Sequence, residues 1–256
     1  MDLPVNAFKR ALIAGQPQIG FWSTVRDPLV TEMLAGLGYD WLLIDCEHTP
    51  RDISDVLGSL QAMNGYPTSP VVRVTQNDTA EIKRLLDIGA QSLLVPYVNT
   101  VAQAESACAA VTYAPNGVRG MGGSMRANRF GSVEGYIEKA RAEICLILQI
   151  ETVEALENLE AIAGVEGVDA LFVGPADLAA SLGYPGQIGH PVVRSAVMDA
   201  IRRIRACGKP AGFLSLDPSL VDEAVAAGSL FTALDLDHIA LRREAMSQLA
   251  AFKARH

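Results

Sequence analysis

The stretch WLLIDCEH, residues 41–48, places an apolar run directly before residues that are capable of chemistry. Three further apolar runs end in the same way, at Arg73, at Gln149-Ile150-Glu151 and at Gly174-Pro175-Ala176-Asp177. A strand buried in a parallel sheet needs apolar residues, so its polar residues are expected where it leaves the sheet. If the four runs are neighbouring parallel strands, they bring a histidine, an arginine and several carboxylates to one edge. Such a set of side chains suits metal-assisted enolate chemistry.

Alternating strand and helix patterns fill the chain. Eight strand candidates lie at 18–22, 40–45, 70–74, 92–96, 144–149, 169–173, 210–214 and 230–234. Helical patterns lie at 27–37, 52–63, 78–88, 100–111, 152–163, 191–206, 218–227 and 238–252, and a short one at 5–13 precedes the first strand. Eight alternations in about 250 residues predict an α/β fold, a single (β/α)8 TIM barrel over residues 1–256 with an extra N-terminal helix. The active site of such a barrel lies at the C-terminal ends of its strands.

Composition excludes several classes of partner. The chain has 256 residues, of which 50% are hydrophobic, and its net charge is −8. An acidic surface gives no electrostatic reason to bind nucleic acid or an anionic membrane. No apolar run approaches the ~20 residues of a membrane span, and the N-terminal residues lack a signal-peptide pattern, so we expect a cytoplasmic protein. The four cysteines have no metal-binding or redox spacing, and we expect reduced thiols.

One connection breaks the alternation. Residues 113–131, between the fourth and fifth strand candidates, have no clear periodicity but contain five glycines and three arginines. A loop of this length in a compact domain is usually functional or disordered. We expect it to fold over the same mouth as the strand ends, the alternative being a solvated surface loop.

Two carboxylates are the best candidates for a metal site. None of the five lysines lies at a C-terminal strand end, so a Schiff-base mechanism would lack its nucleophile. Glu151 and Asp177 follow adjacent strand candidates, and their oxygens suit Mg²⁺ or Mn²⁺, leaving positions for a 2-oxo acid. The alternative is that each carboxylate only caps a helix. The free N–H groups of residues 174–177 could hold an anion, or belong to an ordinary strand-to-helix turn.

A histidine and an arginine complete the candidate set. His48 alone of the four histidines follows a strand, and Asp45, three residues earlier, could orient its ring for proton transfer. Arg73 closes a strand rich in valine and could neutralise a developing oxyanion. The alternatives are a polar loop residue for His48 and a surface ion pair for Arg73.

The motifs that carry these residues resemble the HpcH/HpaI family of class II pyruvate aldolases. They are Gly20-Phe21-Trp22, residues 45–50 (DCEHTP), Val72-Arg73-Val74, residues 117–120 (GVRG), residues 148–152 (LQIET) and residues 172–178 (FVGPADL). The resemblance covers most of the chain. It implies cleavage of 4-hydroxy-2-oxo acids or 3-deoxy-sugar acids to pyruvate and an aldehyde, through a pyruvate enolate stabilised by Mg²⁺, Mn²⁺ or Co²⁺.

The resemblance also implies roles for individual residues. It assigns the metal to Glu151 and Asp177, oxyanion stabilisation to Arg73, and proton transfer to His48 with Asp45 as its partner. The implied substrate-binding residues are Gln149, Gly174, Ala176, Asp177 and Leu214, with the amides of Ala176 and Asp177 on the pyruvate carboxylate. A related lyase or decarboxylase that forms the same enolate is an alternative, and a non-catalytic ligand-binding barrel is another.

The resemblance further implies a homo-oligomer, generally a hexamer built as a trimer of dimers, that exchanges its C-terminal helix. The stripe Ile239, Ala245, Leu249 and Phe252 could serve that exchange, or it could cover the helix's own barrel.

Overall fold

The eight strands expected from the sequence form a closed parallel barrel in the computed structural model, which describes residues 1–256. They are β1 (Gln18–Ser23), β2 (Trp41–Asp45), β3 (Ser69–Arg73), β4 (Ser92–Val95), β5 (Cys145–Ile150), β6 (Ala170–Val173), β7 (Ala211–Leu214) and β8 (Ser229–Leu236). Each strand pairs with the next along the chain, and β8 pairs with β1. The predicted (β/α)8 fold is confirmed.

Twelve α-helices accompany the barrel. They are α1 (Ala7–Ile13), α2 (Pro28–Ala35), α3 (Ile53–Ala62), α4 (Thr79–Asp87), α5 (Val101–Ala110), α6 (Tyr136–Lys139), α7 (Val153–Glu157), α8 (Leu159–Ala163), α9 (Pro175–Ser181), α10 (Pro191–Ala206), α11 (Pro218–Ala227) and α12 (Asp237–Lys253). The helix predicted at 152–163 is divided at Asn158, whose φ of −98° and ψ of 6° are not helical. None of these helices has the length and apolar character required to cross a membrane.

Aromatic side chains fill the N-terminal end of the barrel. Phe8 of α1 is fully buried there, and its ring centroid lies 5.8 Å from that of Trp41 and 5.6 Å from that of Phe231. Gly20 leaves room for this layer, because a Cβ at that position would lie 2.1 Å from the Trp41 indole. The extra N-terminal helix therefore closes one end of the barrel and leaves the other end open.

Residues 113–131 lie at the N-terminal end of the barrel, so the prediction that they fold over the mouth was wrong. Arg126 donates to the backbone oxygen of Ile88, just before β4, at 2.6 Å. Arg119 is buried against Asp87 at the end of α4, and its guanidinium lies over the ring of Tyr113. The segment follows α5, and a helix that runs back along the barrel delivers the chain to the N-terminal strand ends. These two arginines therefore fasten the loop to the scaffold.

Helix α12 departs from the barrel soon after it begins. Ile239 and Ala240 are half-buried, but every residue from Leu241 to the C-terminus is exposed. Leu249 and Phe252 of the predicted stripe are each 55% exposed. The stripe therefore does not cover the helix's own barrel, which rules out one of the two expected uses.

Candidate active site

The C-terminal strand ends surround a cavity of about 740 Å³. The cavity is lined by eight of the nine predicted site residues, namely Asp45, His48, Arg73, Gln149, Gly174, Ala176, Asp177 and Leu214. The ninth, Glu151, lies just behind the wall and is 1% exposed. The barrel thus brings residues from the ends of five strands, β2, β3, β5, β6 and β7, to one mouth.

A buried ion pair joins the ends of β2 and β3. Asp45 and Arg73 are partners in the register of these strands. The guanidinium donates from Nε to Oδ1 of Asp45 at 2.8 Å and from Nη2 to Oδ2 at 2.7 Å. Its third nitrogen, Nη1, lies 2.7 Å from Oε2 of Glu47, and the Trp22 ring lies beneath it. This two-pronged geometry fixes the plane of the guanidinium.

The same contacts set the charges of the pair. Burial opposes ionisation of Asp45, but the hydrogen bonds and charge of Arg73 outweigh burial and lower the pKa of Asp45 below its ordinary value. For Glu47, burial has the larger effect and raises the pKa, although the charge of Arg73 acts in the opposite direction. Arg73 therefore remains a cation whose charge is already shared by two acidic side chains.

The expected contact between Asp45 and His48 is not formed. The His48 side chain is 62% exposed, and the nearest carboxylate oxygen is Oε2 of Glu47, 3.8 Å from its Nε2. Asp45 instead faces Arg73, because register places a permanent cation beside it on the neighbouring strand. Separation by three residues in a turn does not fix where two side chains point. His48 lies at the mouth without an orienting carboxylate from Asp45.

Glu151 is held in a confined space beyond the end of β5. Its Oε1 accepts the backbone N–H of Tyr97 at 2.7 Å, and its Oε2 accepts from Nε2 of Gln149. A Cβ on Gly174 would lie 2.5 Å from Oε2 of Glu151, so glycine is required to keep this carboxylate in place. Burial raises the pKa of Glu151 to about 7, against the lowering effect of the Tyr97 N–H, and the nearby charges of Glu47 and Asp177 raise it further.

Asp177 stands in the first turn of α9, beyond the end of β6. Pro175 occupies the first position of this helix, and no side chain caps its N-terminus. Oδ1 of Asp177 accepts a hydrogen bond from the Tyr97 hydroxyl at 2.6 Å. Asp177 and Glu151 are thus joined to the same tyrosine, although they follow different strands.

Glu47 and Tyr97 contact the predicted site residues but were not themselves predicted from the sequence. The sequence could have indicated Glu47 as a site residue, since it belongs to the polar run that follows β2, but only the structure shows its contact with Arg73. Tyr97 follows an ordinary apolar strand, and nothing in the surrounding sequence indicates that it belongs to the site. Its backbone adopts the left-handed conformation, with φ of 53°, which is uncommon for a residue other than glycine.

The acidic side chains at this mouth suit a divalent cation. The charges of Asp45, Glu47 and Glu151 act on one arginine, Arg73, and Glu47 and Asp177 both raise the pKa of Glu151 through their charge. No group of three histidine, cysteine or acidic side chains is arranged as a metal cage anywhere in residues 1–256. Two carboxylates that leave the other positions to water and substrate are a common arrangement for Mg²⁺.

Comparison with known proteins places the chain in a family. Residues 18–243 match the HpcH/HpaI aldolase/citrate lyase family, and the chain belongs to that family. It is 49% identical over 250 residues to a hydroxypyruvate/pyruvate aldolase of Sagittula stellata, covering 98% of this chain and 99% of the relative. It is 53% identical over 251 residues to a pyruvate aldolase of Rhizobium etli, covering 98% of both chains.

A solved structure supports the same assignment. An HpcH/HpaI aldolase/citrate lyase family protein of Burkholderia cenocepacia superposes with a TM-score of 0.94 at 35% identity, covering 97% of this chain and 100% of that one. The resemblance inferred from the motifs is therefore confirmed at the level of the family.

Proposed function

We propose that this protein is a divalent-metal-dependent aldolase that cleaves 4-hydroxy-2-oxo acids to pyruvate and an aldehyde, and that also catalyses the reverse addition. The observation that carries the proposal is the placement of Glu151, Asp177 and Arg73 at one mouth whose lining contains no lysine. Carboxylates can supply a metal site for enolate chemistry, whereas the absence of an amine removes the Schiff-base route.

Glu151 and Asp177 would hold the metal, with Mg²⁺, Mn²⁺ and Co²⁺ as the candidates for an oxygen-rich site. The bound ion would draw electron density from the 2-oxo group of the substrate. The amides of Ala176 and Asp177, in the first turn of α9, would bind the substrate carboxylate. Gln149 and Gly174 would form the adjoining wall, and Leu214 would supply an apolar side to the pocket.

Arg73 would stabilise the negative charge that develops on the substrate oxygen. A guanidinium has five N–H donors, and each terminal nitrogen of Arg73 retains an N–H beyond those directed at Asp45 and Glu47. Asp45 would act by holding the guanidinium in a fixed plane, which replaces its expected role as the partner of His48. Donors fixed in advance need no reorganisation during the reaction.

His48 would take the proton of the C4 hydroxyl, directly or through water. Its exposed position at the mouth is the side from which the aldehyde portion of the substrate would extend. As this proton leaves, the C3–C4 bond breaks, its electron pair passes to the pyruvate enolate, and the aldehyde is released. Protonation at C3 then gives pyruvate.

Release of pyruvate from a panel of 4-hydroxy-2-oxo acids tests the proposal. We expect EDTA to lower the rate by at least ~1,000-fold, because several kcal/mol of charge stabilisation are lost, and added Mg²⁺, Mn²⁺ or Co²⁺ to restore it. Turnover that EDTA leaves unchanged would contradict the proposal, as would borohydride trapping of a covalent adduct with pyruvate. Oxaloacetate in the same panel separates a decarboxylase from an aldolase.

We also propose that the chain forms a homo-oligomer, a hexamer built as a trimer of dimers, in which α12 packs on another copy. The exposed Leu241, Met246, Leu249 and Phe252 support this, because they lie on a helix that leaves its own barrel. Light scattering should show a multimer in the wild type, and Leu249→Glu with Phe252→Glu should reduce its mass. A monomeric wild type would contradict the proposal.

A further inference from the structure

Tyr97 occupies an unusual position beside the proposed metal ligands. It is the second residue beyond β4, and its backbone lies in the left-handed region, with φ of 53°. A tyrosine in that conformation must be held there by its surroundings, since the Cβ of an L-residue disfavours it. Such residues often occur at functional sites.

Two hydrogen bonds from this one residue reach two carboxylates. The backbone N–H of Tyr97 donates to Oε1 of Glu151 at 2.7 Å, and its hydroxyl donates to Oδ1 of Asp177 at 2.6 Å. Glu151 follows β5 and Asp177 follows β6, whereas Tyr97 follows β4. One residue therefore connects the ends of three neighbouring strands. With its backbone in the left-handed region, Tyr97 directs both its N–H and its hydroxyl at this acidic pair.

These two donors leave the carboxylates able to bind a cation. A carboxylate oxygen has two lone pairs, so an oxygen that accepts from Tyr97 keeps one, and Oδ2 of Asp177 makes no hydrogen bond to the protein. The donors also offset the repulsion between the two negative charges before any cation arrives. Partners that orient ligands in this way commonly determine metal affinity without touching the metal.

We propose that Tyr97 is a positioning residue, which holds Glu151 and Asp177 through its backbone N–H and its hydroxyl in the arrangement that a divalent cation uses. This inference rests on the proposed function, because both carboxylates are proposed ligands. The hydroxyl acts on Asp177 alone, so its loss should weaken cation binding while the ring and the backbone N–H remain.

Mn²⁺ binding to the full chain tests the role of the hydroxyl, with free Mn²⁺ followed by electron paramagnetic resonance. We expect Tyr97→Phe to raise the Mn²⁺ dissociation constant about tenfold, the lower end of the usual range for such partners. Tyr66→Phe is the matched control, because the Tyr66 hydroxyl donates to a carboxylate oxygen of Glu32 at 3.3 Å on the remote surface of the barrel. The control should bind Mn²⁺ as the wild type does.

Kinetics separate positioning from catalysis. At saturating Mn²⁺, we expect Tyr97→Phe to regain a kcat within about threefold of the wild type, because both carboxylates are still present. A second variant, Tyr97→Gly, keeps the N–H to Glu151 and relieves the left-handed backbone, but it also lacks the hydroxyl. It should weaken Mn²⁺ binding at least as much as Tyr97→Phe does, provided that its circular dichroism shows a folded barrel.

The outcomes distinguish this inference from the proposed function. A wild type that binds Mn²⁺ and releases pyruvate, with a Tyr97→Phe variant of equal or tighter Mn²⁺ affinity, would overturn the role of Tyr97 alone. A kcat that stays low at saturating Mn²⁺ would also overturn it, since positioning of the ligands would then not be the main effect. A wild type without Mn²⁺ affinity would overturn the proposed function, and the role of Tyr97 with it.

Discussion

The two ends of the barrel are built from opposite chemistry. At the N-terminal end, Phe8, Trp41 and Phe231 bury their rings against one another. At the C-terminal end, buried acidic groups surround one arginine, and the pKa of Glu151 is raised to about 7 by burial. The first arrangement removes apolar surface from water, which favours folding. The second keeps charges where burial penalises them, an arrangement typical of functional sites.

A single strand contains both kinds of chemistry. Trp41 begins β2 at the closed end, and Asp45 ends it at the open end. The Trp41 ring packs against Phe8, and four residues later Asp45 forms an ion pair with Arg73. In a barrel of this class, substitutions at the closed end should therefore affect stability, and substitutions at the open end should affect catalysis.

The largest effect is expected at the closed end. Phe8→Ala should lower the free energy of unfolding by about 4 kcal/mol, because a fully buried ring is replaced by a cavity. The kcat of the protein that remains folded should not change. Ile13→Ala, on the same helix but 75% exposed, is the control and should change stability by less than about 0.5 kcal/mol. Urea denaturation measures both, and a Phe8→Ala variant of normal stability would contradict the structural role assigned to the closed end.

Arg73→Lys should have the next largest effect, on catalysis. A lysine supplies a point charge in place of the fork that binds Asp45, and about 3 kcal/mol of transition-state stabilisation should be lost, or roughly 100-fold in kcat. Arg203→Lys is the control, since Arg203 makes a comparable two-pronged contact with Glu160 on the surface. Steady-state release of pyruvate measures both variants. Normal kcat in a folded Arg73 variant would contradict the proposed role.

Gly174→Ala tests the space behind the mouth. Its Cβ would lie 2.5 Å from Oε2 of Glu151, so the carboxylate must move and kcat/KM should fall about tenfold to 100-fold. Gly123→Ala is the control, because its added Cβ meets nothing within 4 Å. The same pyruvate assay compares them. An active Gly174 variant would mean that the placement of Glu151 is not critical.

His48→Ala should have the smallest effect, and it separates carbon–carbon cleavage from enolisation at the open end. Since His48 is exposed and lacks Asp45 as a partner, we expect cleavage to fall only about tenfold, below the usual range for an oriented acid or base. Exchange of the pyruvate C3 protons with deuterium, followed by NMR, should fall much less. Equal losses would place His48 in enolisation too, and no loss in either would make it a polar loop residue. His256→Ala, at the exposed C-terminus, is the control.

Much of the site could be predicted because strand ends are visible in a sequence. The apolar runs before Asp45, Arg73, Glu151 and Asp177 mark buried parallel strands, and a closed barrel brings such ends to one mouth. The location of residues 113–131 was predicted wrongly. The segment follows a helix, and in a (β/α)8 barrel a helix returns the chain to the N-terminal ends of the strands. The break at Asn158 lies within an unbroken helical periodicity, and nothing in that pattern reveals it.

The positions of the strands along the chain and the residue types at their ends can be read from the sequence, because burial imposes a local apolar pattern. Which of those residues contact one another depends on the folded barrel. Asp45 faces Arg73 because of the register between β2 and β3, and Tyr97, with its left-handed backbone, reaches two carboxylates that follow other strands, Glu151 and Asp177. Such contacts depend on side-chain directions and on neighbours distant in sequence, and a one-dimensional pattern contains neither.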